Sequence, residues 1–235
     1  MPNKPVITRQ SLSNRITHAL IAISMFGLFF TGFGQMPVYQ RYMLTEVPGF
    51  AWTGDYTVTL WLHYLFGVML IATVFYHITY HLLRKEFAIV PKKGDVKRSF
   101  LIIKAMIKKQ PEPPSEKYLP EQRLAYAFIA FWIVAMIITG VLKAYKNISG
   151  VNWSLDALFW LAQIHNLGFF MLIIGVGAHF GAFIVKANRK LLPGMFSGKV
   201  DACYTKFRHS LWKEGVQKSD QQIKKSGTKC KEEQE

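Results

Sequence analysis

The sequence predicts an all-α integral membrane protein, in which four transmembrane helices form a bundle and a helix and tail lie at one membrane surface. Hydrophobic residues make up 51% of the 235 residues, which is too apolar for an ordinary soluble domain of this length. Four apolar runs are long enough to cross a bilayer, and no fifth run qualifies. They are residues about 16–33, 60–83, 124–141 and 158–185.

The uneven distribution of basic residues predicts the orientation of the chain. The net charge is +15, with ten Lys and Arg residues in 84–117, twelve in 186–231 and only Arg41 in 34–59. Lys143 and Lys146 weaken this bias at the second outer loop without reversing it. Because cytoplasmic loops are enriched in Lys and Arg, we expect a bacterial cytoplasmic-membrane protein with both termini in the cytoplasm. Anionic lipid rather than nucleic acid is expected to meet this charge.

A second, amphipathic pattern lies between the second and third spans, at residues about 95–110. It predicts a helix on the cytoplasmic membrane surface, with apolar side chains on one side and basic ones elsewhere. The apolar positions are Val96, Phe100, Ile103 and Ile107. Residues 1–200 then form the membrane domain, and residues 201–235 form a basic cytoplasmic tail that we expect to fray.

Histidines inside the spans are the strongest functional signal. His165 and His179 lie fourteen residues apart in the fourth run, so they return to nearly the same helix face about 21 Å apart along the axis. Ionisable groups in a membrane segment are costly and face the bundle interior. Because imidazole is a common axial ligand of haem iron, this helix predicts one ligand at each of two depths, and therefore two stacked haems.

Depth in the predicted topology assigns the other ligands. His18 lies at the cytoplasmic entrance of the first span and matches His179, so this pair is expected to ligate an inner haem. His63 lies near the outer start of the second span and matches His165, so this pair is expected to ligate an outer haem. His77 follows His63 by fourteen residues and stays open as an alternative to His18.

The remaining histidines and both cysteines are expected to take no part in cofactor chemistry. His81 is placed at the headgroup boundary, and His209 is placed on the solvated surface of the tail. Cys203 and Cys230 also lie in the tail, where we expect both thiols to be reduced. Because no C-x-x-C-H motif and no iron–sulfur spacing is present, any haem is b-type.

Short motifs surround these histidines along most of the chain. They are N-R-I-T-H at 14–18, L-H at 62–63, F-G at 66–67, T-G at 139–140, I-H at 164–165 and G-M-F-S-G-K-V at 194–200. Together they resemble the cytochrome b subunit of respiratory formate dehydrogenase. The related membrane cytochromes b of nickel–iron hydrogenases and thiosulfate reductases share the plan of four helices and two haems.

The resemblance implies an electron-transfer subunit that has no substrate dehydrogenase site of its own. A catalytic dehydrogenase subunit and an iron–sulfur subunit on the periplasmic side would deliver electrons to the outer haem. The inner haem would pass them to a quinone, expected to be menaquinone. Two haem centres divide a hydrocarbon core of about 30 Å, which is too thick for one tunnelling step. The whole complex could assemble into a higher oligomer.

The resemblance also implies a quinone site at the cytoplasmic entrance of the third span. Tyr118 and Gln122 match the family's pattern there, whereas Leu119 and Glu121 replace the small and amide residues expected between them. The alternative is that Tyr118 and Arg123 only anchor the helix at the interface. Glu121 is a candidate proton relay because of its depth.

Three other functions stay open. The chain could be the cytochrome b of a hydrogenase or of another quinone-linked reductase. It could be a free-standing cytochrome without a fixed dehydrogenase. It could also be a non-redox membrane anchor or a transporter, although a transporter site predicts polar groups at one midplane level, whereas these histidines divide into two levels.

Overall fold

Helices dominate the computed structural model, which describes residues 4–108, 110, 112–148 and 150–230. The helices are α1 (Leu12–Gly34), α2 (Pro37–Arg41), α3 (Tyr56–Arg84), α4 (Asp95–Ile107), α5 (Pro120–Tyr145), α6 (Leu155–Gly181), α7 (Lys186–Arg189), α8 (Pro193–Phe196), α9 (Ala202–Arg208) and α10 (Lys213–Ser226). Short 3-10 turns span Leu44–Glu46, Ala51–Gly54 and Ala182–Ile184. Two strands, β1 (Val6–Thr8) and β2 (Lys199–Asp201), complete the described elements.

Four of these helices, α1, α3, α5 and α6, are long and apolar enough to cross a membrane, which confirms the predicted fold class. Each begins about one turn before its apolar run, because polar capping residues belong to the helix start but not to the run. Asp55 accepts the backbone N–H groups of Thr57 and Val58 at 2.8 and 3.2 Å and so caps α3. Ser154 accepts the N–H of Ala157 at 3.2 Å at the start of α6.

The long helices expose large apolar side chains, as surfaces that meet lipid do. On α3 the exposed residues include Trp61, Leu65, Val68 and Phe75. The chain also divides into two compact units. The bundle unit comprises residues 16–85 and 135–169, and the terminal unit comprises residues 1–15, 86–134 and 170–235.

Within the bundle unit, α1 approaches α3 closely at a glycine. A Cβ atom added to Gly27 would lie 2.5 Å from the ring of Phe66, so a larger residue would force the two helices apart. Farther along α1, the ring of Phe29 packs edge-on against Phe169 of α6, with centroids 5.8 Å apart. These contacts hold α1 against both of its neighbours in this unit.

A small antiparallel sheet organises the terminal unit, and the sequence analysis did not predict it. Strand β1 pairs with β2 so that Ile7 lies opposite Val200. Both side chains are buried with Ala202 in a core that is covered by Leu191, Trp212 and Ile223. The pairing joins the segment before the first long helix to the segment after the last one.

The tail is folded, and this corrects two expectations. Helices α9 and α10 pack against each other and α10 packs against β1, so residues 202–226 are ordered structure rather than a frayed end. Cys203 and Cys230 form a disulfide with their Cα atoms 5.5 Å apart, so the expectation of two reduced thiols is wrong. The cysteines are 27 positions apart in sequence, and only the packing of α9 and α10 brings them within bridging distance. Residues 231–235 lie outside the described part of the tail.

Helix α4 occupies the region of the expected surface helix, but its polar side is not simply solvated. Asp95, Ser99 and Ile102 share one face and are buried. The exposed apolar residues on the rest of the helix include Val96, Phe100, Leu101 and Ile103. The helix therefore packs against protein through a partly polar face, and its position on a membrane surface stays a prediction.

Candidate haem-binding site

Two histidines that were predicted to share a haem lie close together in the bundle unit. His63 is on α3 and His165 is on α6, and their ring centroids are 6.5 Å apart with an angle of 64° between the ring planes. Both side chains are partly buried. The helices therefore bring together two imidazoles that are 102 residues apart in the sequence.

A threonine on the neighbouring helix holds each of these imidazoles. Oγ1 of Thr31 on α1 lies 2.8 Å from Nδ1 of His63, and Oγ1 of Thr139 on α5 lies 2.8 Å from Nδ1 of His165. Each threonine hydroxyl also donates to the carbonyl four residues earlier in its own helix, at 2.7 and 2.8 Å. Because a hydroxyl has one proton to donate, the threonine oxygen must accept the imidazole N–H.

This pattern fixes the tautomer of both rings. Nδ1 of His63 and of His165 carries the proton, so Nε2 keeps its lone pair. Within the described residues, neither ring makes a second hydrogen bond. A histidine that ligates a metal through one nitrogen is oriented in the same way, by donating its other N–H to a nearby oxygen. Both side chains are thus prepared to act as Nε2 ligands.

A glycine follows each threonine and leaves space beside the imidazole. A Cβ atom added to Gly32 would lie 3.4 Å from Cε1 of His63, and one added to Gly140 would lie 3.5 Å from Cε1 of His165. Cε1 is bonded to Nε2, so a side chain at either position would fill space next to the ligating nitrogen. The Thr-Gly pair occurs at 31–32 and at 139–140. Its recurrence on the helix before each histidine is the signal that the sequence analysis missed.

The spacing of the rings fits one iron between them. An imidazole nitrogen binds a metal at about 2.0 Å. Adding about 1 Å from that nitrogen to the ring centre on each side gives about 6 Å between two rings that ligate one metal. The observed 6.5 Å is close to this value, and the donor set of two neutral imidazoles suits a haem. His63 and His165 as ligands stay a prediction, and the geometry supports it.

The histidines expected at the inner haem are placed differently. His18 belongs to the bundle unit and His179 to the terminal unit, and both side chains are exposed. His77 is partly buried on α3, where its ring lies 4.4 Å from that of His81. The assignment of His18 and His179, with His77 as the alternative, therefore stays a prediction.

Residues of the expected quinone region are engaged within the terminal unit. Nε2 of Gln10 donates to Oη of Tyr118 at 3.1 Å, and Oε1 of Gln122 accepts the N–H of Leu119 at 3.2 Å at the start of α5. Among the described residues, neither carboxylate oxygen of Glu121 has a hydrogen-bond partner, although both are buried. A quinone contact through Tyr118 and Gln122 stays a prediction.

Arg123 is not the interfacial anchor that the alternative interpretation expected. Its guanidinium is buried and donates from Nε and Nη2 to the two carboxylate oxygens of Asp95, each at 2.8 Å. These hydrogen bonds hold the pKa of Asp95 below its ordinary value. The pair joins α4 to the start of α5, and this contact is what buries the polar face of α4.

His209 is buried, and this corrects its placement on the solvated surface. Its Nε2 accepts from Nη1 of Arg9 at 3.0 Å, and its Nδ1 donates to the carbonyl of Glu116 at 2.6 Å. Burial, followed by the nearby charge of Arg9, lowers the pKa of His209 to about 3. Because both ring nitrogens are used by protein groups, His209 is a structural residue.

Comparison with known families decides the class of this protein. A family model described as prokaryotic cytochrome b561 matches residues 9–198. The chain belongs to the prokaryotic cytochrome b561 family. It is therefore a multi-pass membrane cytochrome that binds b-type haem and takes part in electron transfer. No curated protein matches the chain.

Membership in the cytochrome b561 family favours a redox function over a non-redox anchor or a transporter. It supports a relationship to the cytochromes of hydrogenases and is equally compatible with a formate dehydrogenase subunit. The matched region ends at residue 198 and so includes His63, His165 and their threonines, but not His209. Within this cytochrome, the best-formed candidate for a haem site is thus the pair His63 and His165.

Proposed function

We propose that this cytochrome b561 is the di-haem membrane subunit of a respiratory oxidoreductase. It would pass electrons from a periplasmic iron–sulfur subunit to a quinone near the cytoplasmic side. Bound haem supplies a reversible one-electron carrier. The observation that carries the proposal is the close pair of imidazoles, His63 and His165, each with Nδ1 hydrogen-bonded to a threonine and Nε2 left available among the described residues.

The residues of the chain would hold the haem and shield it from water. Thr31 and Thr139 fix the ring orientation and the tautomer of the two ligands. Such outer partners also raise the basicity of the ligating nitrogen. The apolar helices keep water away from the site, and Gly32 and Gly140 leave room beside the imidazoles. The protein thus contributes ligands, orientation and a dry environment.

We assign the second haem to His179 together with His18, and we keep His77 as the alternative partner. The support is the fourteen-residue interval between His165 and His179 within the uninterrupted helix α6. Haem content separates the alternatives. If His77→Ala loses this haem while His18→Ala keeps it, the assignment of His18 is wrong.

We assign the quinone to the region of Tyr118 and Gln122, with Glu121 as the group that exchanges a proton with it. Glu121 supports this because a buried carboxyl without a protein partner can bond to a ligand or a water chain. Glu121→Gln should slow quinone reduction several-fold. Glu214→Gln, which removes a carboxylate paired with Lys218 in α10, is the matched control. An unchanged rate in Glu121→Gln would remove this role.

The proposed orientation rests on the basic residues, twelve of which lie in 186–231. The disulfide between Cys203 and Cys230 runs against it, because cytoplasmic thiols are normally kept reduced. A reporter protein fused after the tail decides the question. Activity of a cytoplasm-dependent reporter supports the orientation, whereas activity of a periplasm-dependent reporter reverses it.

The central experiment is spectroscopy of the purified full-length protein. Dithionite should produce the absorption bands of reduced b-type haem, with about two haems per chain, and a water-soluble menaquinone analogue should reoxidise them. His63→Ala should lose one of the two haems. The absence of b-type absorption would refute the haem proposal, and haem that no quinone reoxidises would refute the quinone role.

The identity of the dehydrogenase partner is tested by co-purification. A formate dehydrogenase subunit predicts that an iron–sulfur protein accompanies the cytochrome and that formate reduces the haems in membranes. The hydrogenase alternative predicts that hydrogen reduces them instead. A preparation without any iron–sulfur partner would favour a free-standing cytochrome.

A further inference from the structure

Lys143 is a charged residue beside the pair His63 and His165. Neither the assignment of the haem ligands nor the charge bias that sets the orientation accounts for its position. It lies near the end of α5, four residues after Thr139 and three after Gly140. Residues at these intervals share one face of a helix. Since Thr139 bonds to His165 and Gly140 approaches the same ring, the side of α5 that carries Lys143 is the side that meets the haem-binding pair.

The charge of Lys143 reaches both imidazoles. It acts electrostatically on both His63 and His165, and no other cation in the described part of the chain acts on the two together. All these residues belong to the bundle unit, and the side chain of Lys143 is partly buried. The lysine is therefore near both rings and is not directed entirely to solvent.

Within the described part of the chain, no carboxylate pairs with Lys143. It forms none of the ion pairs or side-chain hydrogen bonds there, and the nearest charge acting on it is that of Lys146, which has the same sign. Lys146, by contrast, donates to Oδ1 of Asn147 at 3.0 Å. A partly buried cation at a membrane helix end is costly without an anion, so an anion from outside the chain is expected at Lys143.

We propose that Lys143 forms an ion pair with a propionate carboxylate of the haem held by His63 and His165. The proposal rests on the proposed haem site. A haem carries two carboxylates at one edge of its ring, and Lys143 is a cation next to the residues that would hold that ring, with no carboxylate partner among the residues that the structure describes. Lys143 is thus a binding residue for the cofactor, acting on its edge rather than on its iron.

Reconstitution with modified haem tests this pairing directly. Because b-type haem is not covalently attached, it can be extracted from the full-length protein and replaced. The His179→Ala variant serves as background, since under either ligand scheme it keeps only the haem at His63 and His165. Affinities for haem and for haem dimethyl ester, in which both carboxylates are neutral, are then measured by absorbance.

We expect Lys143→Gln to weaken haem binding about tenfold, Lys143→Arg to preserve most of it, and the control Lys146→Gln to leave it unchanged. The dimethyl ester should bind equally to Lys143→Gln and to the parent. Removing the cation should also lower the midpoint potential of this haem, because the reduced form carries one more negative charge. A shift of 59 mV would mean that the affinity for reduced haem falls tenfold more than the affinity for oxidised haem, for this one-electron couple.

Two results would overturn the ion pair. One is an equal loss of affinity for haem and for its dimethyl ester, which would mean that Lys143 acts through folding or through lipid phosphate. The other is no loss for either ligand. Failure of the underlying haem site looks different, because the parent itself would then bind no haem, or His63→Ala would bind it as well as the parent does.

Discussion

The pair His63 and His165 and the single residue His209 are buried to different degrees and use their ring nitrogens differently. In all three, Nδ1 donates to an oxygen of the protein. Nε2 of His209 then accepts from Arg9, whereas Nε2 of His63 and His165 has no protein partner in the described residues. The most buried histidine is therefore the one that cannot bind a metal.

This comparison shows that the free nitrogen, and not burial, separates a candidate ligand from a structural histidine. The guanidinium of Arg9 donates a hydrogen bond to the lone pair on Nε2 of His209. Both ring nitrogens therefore serve the packing of the terminal unit. A threonine on a neighbouring helix takes only the proton of His63 or His165 and leaves the lone pair for iron.

Removing a ligand should abolish a haem, and removing the structural histidine should not. His63→Ala and His165→Ala are each expected to lose about half of the bound haem, because either change leaves the iron with one protein ligand. His209→Ala should keep the full haem content and instead destabilise the terminal unit. Haem per protein, measured after alkaline pyridine extraction, checks both outcomes. A full haem content in His63→Ala would contradict the distinction between a ligand histidine and a structural histidine.

Breaking the buried ion pair of the terminal unit should cost about 3–5 kcal/mol of stability, because the buried guanidinium of Arg123 then keeps only its contact with the partly exposed carboxylate of Glu116. Asp95→Leu removes the carboxylate that accepts two hydrogen bonds from Arg123. Adding Arg123→Met should recover much of the loss, since the buried guanidinium is then gone and Glu116 still pairs with Lys92. Thermal unfolding in detergent measures both variants, and a double variant less stable than Asp95→Leu would contradict the argument. Haem content should be unaffected.

Removing a threonine hydroxyl should weaken haem binding without removing a ligand. Thr31→Val or Thr139→Val leaves the imidazole N–H without its acceptor, and loss of such an outer partner costs about 10–100-fold in affinity. Thr73→Val is the matched control, because Thr73 is a buried α3 threonine whose hydroxyl donates to the carbonyl of Met69 and holds neither His63 nor His165. Haem titration of the apoprotein compares the three variants. Equal losses in all of them would indicate a general effect of valine.

Acid should loosen the terminal unit through His209. Its pKa is about 3 in the folded chain and about 6.5 when unfolded, so between these values the unfolded chain binds a proton that the folded chain does not. Stability is complete above pH about 6.5 and falls as the pH is lowered, by up to about 1.4 kcal/mol per pH unit. Limited proteolysis at pH 7 and 5 measures this, and His209→Gln should flatten the dependence.

The same comparison explains how much could be predicted from the sequence. Hydropathy located the four long helices, because lipid imposes a composition that each segment carries by itself. Depth in the membrane also matched His63 with His165, and the structure places these two close together. The threonine partners were not recognised, because Thr31 is 32 residues from His63 and is one of several threonines in apolar helices.

The terminal unit was largely missed because its structure depends on contacts between distant segments. Nothing near His209 in the sequence indicates burial, since the groups that cover it come from Arg9, Ser115 and Glu116. The sheet could not be predicted from the sequence either, because each strand has only three residues, too few for an alternation to be recognised. Local patterns predicted a frayed tail, and long-range packing produced an ordered one.

The pairing of β1 with β2 sets the order of events during synthesis of this chain. Ile7 of β1 pairs with Val200 of β2, so at about 5–20 residues per second the ribosome needs about 10–40 s to reach the partner of the first strand. The residues of all four long helices have been synthesised by then. The N-terminal segment therefore stays without its partner strand until then. A chain stalled before residue 199 would leave Arg9, which is buried in the folded protein, exposed to water.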